Sequence, residues 1–206
     1  RGNRNPRLRR PANVVVDEAN AWLARQQTPF FAWVHLYDAH APYALPEPYR
    51  TMYEDAPYLG AIAFMDSQLQ RLLKLLDDHH LTEHTIVIVA ADHGESLGDH
   101  GEAGHGIFVY QSTLRVPLIV RVPRYSQRRV SELVRIVDVM PTVLDVLGVH
   151  QRPTDGTSLV GLMTNQIAHL DLDAYSESLY PRRFGWAELR TLRAGRFKFV
   201  SAPRPE

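Results

Sequence analysis

The sequence predicts an α/β domain: a mostly parallel sheet with helices on both faces, and a small antiparallel segment at the C-terminal end. Two patterns carry this expectation. Continuous apolar runs stand at "PFFAWVHLY" (29–37), "TIVIVAA" (85–91) and "VPLIVRV" (116–122). Strands covered on both faces read this way, whereas half-exposed strands alternate. Stretches of helical period separate the runs, as in βαβ units. Residues 1–150 form the α/β part on this reading, and 151–206 a linker and the start of an antiparallel subdomain.

The elements follow in order. "RGNRNPRLRR" (1–10) is basic and Pro-broken, and reads as a tail. Asn13 can cap a helix to about Gln27, with Val15, Ala19, Trp22 and Leu23 on one face. The run at 29–37 is expected as a buried strand, with His35 buried in it. "DAHAPYALPEPYRTMY" (38–53) holds three prolines and reads as a loop. Leu59, Ile62, Leu69, Leu72, Leu73 and Leu76 keep a helical period across 55–79 and are expected in the core. "VRIV" (134–137) suits a fourth strand, and Asp138 a helix cap, with Pro141 in the first turn and Gly148 after the end. "AYSESL" (174–179) and 188–202 alternate, with Ala194–Gly195 suited to a tight turn.

Composition narrows the function classes. The formal net charge is +0, so nothing points to nucleic acid or an anionic membrane as partner. No apolar run approaches the ~20 residues of a membrane helix. There is no cysteine, which excludes disulfides, thiolate metal sites and cysteine nucleophiles among these 206 residues.

The chemistry concentrates in "IVAADHGESLGDHGEAGHG" (88–106). Seven titratable side chains follow an apolar strand, with glycines between them. Ligands in open α/β sheets bind beyond the carboxyl ends of strands, and a loop of ~20 structureless residues is usually functional. Asp92 and His93 pair a hard anionic oxygen with a borderline nitrogen, a combination suited to Mn²⁺, Mg²⁺, Ca²⁺ or Zn²⁺. His105 stands between glycines that let its imidazole approach a ligand. His40, on the other loop, can hold an anionic oxygen or protonate a leaving group. Asp38 can orient His40. Glu95, Asp99, Glu102 and His100 read as solvated loop residues.

These blocks, in this order, resemble the sulfatase family of the alkaline-phosphatase-like superfamily. The matching pieces include "FFAWVHLYDAHAPY", "HTIVIVAADHGESLGDHGE", "GHGIFVYQSTLRVPLIVRVP" and "LRTLRAGRFKFV". The resemblance implies that Asp92 and His93 are metal ligands, with Ca²⁺ first and Mn²⁺ or Mg²⁺ as alternatives. Many sulfatases carry Asn at the place of His93; phosphonate and phosphodiester hydrolases carry His. His40 and His105 correspond to substrate-binding and catalytic positions, His105 standing where many sulfatases have lysine. The family's formylglycine nucleophile arises from a "C-x-P-x-R" or "S-x-P-x-R" motif that this chain lacks. The resemblance therefore implies an incomplete sulfatase-like fold, a C-terminal portion lacking the nucleophile segment and inactive alone. It implies a small-molecule or glycan sulfate ester as substrate, cleaved through a covalent intermediate. The alternatives are a phosphodiester or phosphonate ester hydrolase, a phosphoglycerol-type transferase, or a non-catalytic domain with a residual metal site. A periplasmic, extracellular or membrane-associated location follows from the resemblance only.

Overall fold

A computed structural model describes residues 9–149 and 153–203. The chain divides into two compact units, 1–85 and 86–206.

The first unit is helical. Helix α1 (Ala12–Leu23) packs on the long helix α3 (Pro57–Asp78), with the short α2 (Tyr49–Met52) beside α3. The seam is made by Ala12, Val16 and Leu23 from α1 and by Ala61, Phe64 and Leu76 from α3, all buried. Arg71 of α3 forms an ion pair with Asp17 of α1 at the edge of that seam. Asn13 lies inside α1 and does not cap it. Pro11 holds the cap position, and the Asp38 carboxylate accepts the Ala12 N–H at 3.2 Å. A loop residue distant in sequence thus satisfies one of the amides that every helix start leaves unpaired. The predicted core of α3 is narrower than its leucine pattern suggests. Leu59, Ile62 and Leu73 are exposed, and small or aromatic residues carry the contact.

The second unit holds two sheets. Strands β1 (Val87–Ala90) and β2 (Leu118–Arg121) pair antiparallel, from Val87 opposite Arg121 to Ala90 opposite Leu118. Strands β3 (Asp173–Ser178), β4 (Leu189–Ala194) and β5 (Phe197–Ser201) form an antiparallel meander. The short helix α4 (Gln111–Leu114) lies in the connection from β1 to β2, and α5 (Val139–Val146) and α6 (Val160–Met163) lie between the two sheets in sequence.

This corrects the expected fold class: both sheets are small and antiparallel, in place of one mostly parallel sheet flanked by helices. Apolar continuity fixes neither strand direction nor strand formation. The run at 29–37 forms no ladder among the described residues, and Phe31 and Trp33 are 84% and 79% exposed. His35 is likewise exposed. The expected strand at 134–137 is instead a 3₁₀ turn, Ile136–Asp138, leading into α5. The β4–β5 turn falls on Gly195–Arg196, one residue later than predicted. No helix among the described residues is long and apolar enough to cross a membrane.

Asp138 is the buried polar node of the second unit. Its carboxylate accepts bonds from the Arg135 backbone N–H at 2.8 Å and the Arg135 guanidinium at 2.7 Å. It also accepts the Thr157 N–H at 2.9 Å. The hydroxyl of Thr142, one turn on, accepts the Leu159 N–H at 2.9 Å. These bonds hold the segment before α6 against α5. Asp138 is fully buried, so its removal strands a guanidinium and two amides. Asp138→Ala is expected to cost about 3–5 kcal/mol, the usual loss when one partner of a buried pair is deleted. Urea unfolding of the two proteins measures it.

Candidate functional site

The polar loop runs from 91 to 117. Because β1 and β2 are antiparallel, the end of β1 and the start of β2 share one edge, and the loop closes across it. It is tied internally. The Gly94 N–H donates to the Thr113 carbonyl at 2.7 Å, that of Ser96 to Gly104 at 2.9 Å, and that of Gly98 to Glu102 at 2.8 Å. Gly94 meets α4 so closely that a Cβ there would lie 2.2 Å from the Ser112 carbonyl oxygen. The meander braces the loop from beyond. The Ser178 hydroxyl donates to the Gly106 carbonyl, and the Lys198 ammonium to that of Val109. Burial, with a lesser contribution from the Arg193 charge, holds Lys198 below the ordinary lysine range.

Asp92, His93 and His105 come together at this loop. Asp92 follows β1 and is well exposed, and its Oδ1 accepts the His93 N–H at 3.0 Å. The His93 and His105 rings stack with centroids 3.9 Å apart and planes 30° from parallel. His93 Nδ1 lies 2.9 Å from the Gly94 carbonyl oxygen, which can only accept, so Nδ1 carries the proton. His105 Nδ1 lies 2.9 Å from Glu95 Oε1.

The His93 tautomer suits a metal ligand. Ligating histidines commonly donate the second ring N–H to a carbonyl or carboxylate, which leaves the other lone pair for the cation. His93 Nε2 and Asp92 Oδ2 are 3.9 Å apart. Donors at about 2.0–2.6 Å from an ion can span that separation together. Among the described residues no group of three or more His, Asp or Glu side chains is arranged to hold a metal ion. The pair offers two such donor atoms, fewer than the set of four or more that a protein-bound cation usually has.

His40 belongs to the first unit. Its Nδ1 donates to the Ala41 carbonyl at 2.8 Å, and its ring stacks on Tyr37 at 4.7 Å. Arg9 covers the same Tyr37 ring at 5.2 Å and donates to the Ala41 carbonyl at 2.6 Å. Asp38 does not orient His40; its Oδ1 turns to α1, and its buried Oδ2 has no hydrogen-bond partner among the described residues. Burial pushes the Asp38 carboxyl above the usual carboxylate range, against the opposing bond from the Ala12 amide.

Two acidic residues expected to be solvated are interior. The Glu95 side chain is 4% exposed and pairs with His105. Glu102 is 5% exposed, and its Oε1 accepts the Ile107 N–H at 2.8 Å and the Phe108 N–H at 3.3 Å. Nothing in the local sequence separates them from solvated loop acids, since their partners lie ten and five residues downstream. His100 is exposed, with its ring stacked on Tyr110 at 3.8 Å.

The sulfatase family profile matches residues 3–149. The chain belongs to the sulfatase family. The match lies in the N-terminal two-thirds of the chain, which corrects the expectation of a C-terminal portion lacking the nucleophile segment. A multifunctional alkaline phosphatase superfamily protein of Trinickia caryophylli, PehA, is 34% identical over 112 residues, 51% of this chain and 21% of that protein. Arylsulfatase H of Canis lupus familiaris is 27% identical over 183 residues, 80% of this chain and 33% of that protein. A phosphonate monoester hydrolase of Agrobacterium radiobacter superposes with a TM-score of 0.81 at 24% identity, over 93% of this chain and 52% of that one. That likeness is one of fold. Among these matches the sulfatase-family chain spans 21% and 33% of the two curated relatives.

Two substitutions test the geometry. Gly94→Ala must push the Ser112 carbonyl aside, and is expected to destabilise by about 1–3 kcal/mol, as overpacking does; urea unfolding reads this. Asp38→Asn keeps the acceptor for Ala12 and removes a charge that burial disfavours. The raised carboxyl holds its proton more tightly folded than unfolded, so its ionised form weakens the fold above that pKa. The variant is therefore expected to be the more stable near neutrality. Its advantage should shrink as pH falls towards the ordinary carboxylate value of about 3.9, as thermal melts across pH would record.

Proposed function

We propose that the chain carries the metal-side and proton-transfer residues of a hydrolase that cleaves phosphonate esters or phosphodiesters. The observation that carries this reading is the Asp92–His93 pair, with the His93 Nδ1 proton committed to Gly94 at 2.9 Å. That arrangement leaves an imidazole nitrogen and a carboxylate for one divalent cation. The fold shared with a phosphonate monoester hydrolase supports the choice of substrate.

On this reading Asp92 and His93 hold Ca²⁺, Mn²⁺ or Mg²⁺. The bound cation supplies Lewis acidity that stabilises charge on the ester oxygens. The chain's residues do the rest. His105 offers a hydrogen bond to a non-bridging oxygen, and one of His40 and His105 protonates the leaving alkoxide. Both rings have Nδ1 engaged by an acceptor, so either would donate through Nε2 only as the doubly protonated imidazolium, giving up its Nε2 proton and returning to the Nδ1–H form. The family's covalent route needs a nucleophile. No cysteine-derived formylglycine can form from this chain, so none of its residues is assigned that role. A sulfate ester, of a small molecule or a glycan, is the second reading. The likeness to arylsulfatase H favours it.

Calorimetric titration with Mn²⁺ and Ca²⁺ tests the cation site. Asp92→Ala and His93→Ala are each expected to weaken binding by tenfold or more, by analogy with losses of about 10–100-fold at metal sites; unchanged affinity in both removes the pair from the site. Turnover of matched phosphonate, phosphodiester and sulfate esters tests the substrate. The phosphorus esters should lead, and a preference for sulfate reverses the choice. His40→Ala and His105→Ala are expected to lower kcat by about 10²–10⁴-fold, the usual contribution of a positioned acid or base.

A further inference from the structure

We propose that Glu95 is a positioning residue: from the interior it sets which nitrogen His105 presents to a substrate. The inference rests on the reading of His105 as a substrate-facing group. The Glu95 side chain is 4% exposed and that of His105 24% exposed, with Oε1 to Nδ1 at 2.9 Å. A buried carboxylate requires donors. At this distance the ionised acid can only accept, so Nδ1 carries the proton and Nε2 faces away from the acid. Turning the ring over would bring a carbon to Glu95 and forfeit a charge-assisted bond. The face of the ring is also occupied, because His93 stacks on it at 3.9 Å. One contact fixes the rotation and the other the tilt.

The arrangement repeats along the chain. Gly94 takes the Nδ1 proton of His93 through its carbonyl, and the next residue takes that of His105 through its side chain. Consecutive residues thus orient two stacked rings. Gly106, at φ +101, adopts a conformation that lets the chain turn directly after His105.

The test reads the tautomer directly, apart from any activity. Long-range ¹H–¹⁵N spectra of the 206-residue chain, labelled on imidazole nitrogen, are recorded at about pH 8.5, some two units above the ordinary histidine value. Wild-type His105 is expected to carry its proton on Nδ1, against the Nε2–H form that neutral histidine favours in water. Glu95→Gln keeps an acceptor oxygen and should preserve the Nδ1 proton. Glu95→Ala should release it. An Nε2–H tautomer in the wild type, or an Nδ1 proton retained in a folded Glu95→Ala, overturns the proposal. If Glu95→Ala does not fold, the wild-type and Glu95→Gln spectra decide alone, and an Nε2–H tautomer in Glu95→Gln counts against it. In ester turnover Glu95→Ala should lower kcat by about 10–100-fold with little change in KM, taking outer partners of metal-site histidines as a guide, and Glu95→Gln should recover most of it. The tautomers decide the positioning role whether or not the chain by itself turns the esters over, so failure of the hydrolase reading is told apart from failure of this one.

Discussion

The loop that carries the candidate site depends on one buried carboxylate. Glu102 sits at 5% exposure without a cationic partner among the described residues. Placing a carboxylate there costs several kcal/mol before compensation. Two backbone amides, Ile107 and Phe108, supply charge-assisted hydrogen bonds to one of its oxygens. The loop has little ladder of its own, so this side chain does the work of a strand partner. It fixes the amides directly after Gly106, and so determines where His105 leaves the backbone. The position of His105 then decides whether it can reach Glu95 on one side and His93 on the other.

Helices were legible in the sequence where period and punctuation agreed. Pro57 opens α3, and the leucine spacing carries it to Asp78. Which of those leucines are buried was not legible. The contact with α1 runs through Ala61 and Phe64, residues that a leucine count passes over. Strand direction was illegible for a different reason. "TIVIVAA" and "VPLIVRV" are continuous apolar runs, half-covered in the fold, and either pairing sense accommodates such a run. The antiparallel ladder at Val87–Ala90 is a tertiary choice that no local pattern records. The same holds for Asp38, which reads as a partner for the nearby His40 and instead caps a helix that began 26 residues earlier.

Within the site, the sequence showed the groups that meet solvent and hid those that support them. Asp92 and His93 could be picked out because a strand end places them, and His105 because glycines flank it. Glu95 and Glu102 look like the other loop acids until the chain folds back. Their burial follows from a close approach at Gly94, where a Cβ would stand 2.2 Å from a carbonyl oxygen. A glycine in "DHGES" reads as turn chemistry; what it supplies here is proximity between the two arms of the loop. That proximity brings residues 94–96 against 104–113 and encloses both acids.

The three histidines share one constraint, which bears on what they can do. Each has Nδ1 engaged by an acceptor: Ala41 for His40, Gly94 for His93, and Glu95, ten residues away, for His105. The first two acceptors are carbonyls of the next residue, so their geometry is set by local backbone and survives changes elsewhere. The third is a side chain held by burial, and it depends on the whole loop being closed. A ring oriented by its neighbour's carbonyl is ready before any ligand arrives. A ring oriented by a buried acid is ready only when the loop is intact. His93 and His40 are thus the pre-set members, and His105 the one whose alignment reports the state of the loop. A site built this way loses the His105 contact first when the loop loosens, while the Asp92–His93 pair keeps its place at the end of β1.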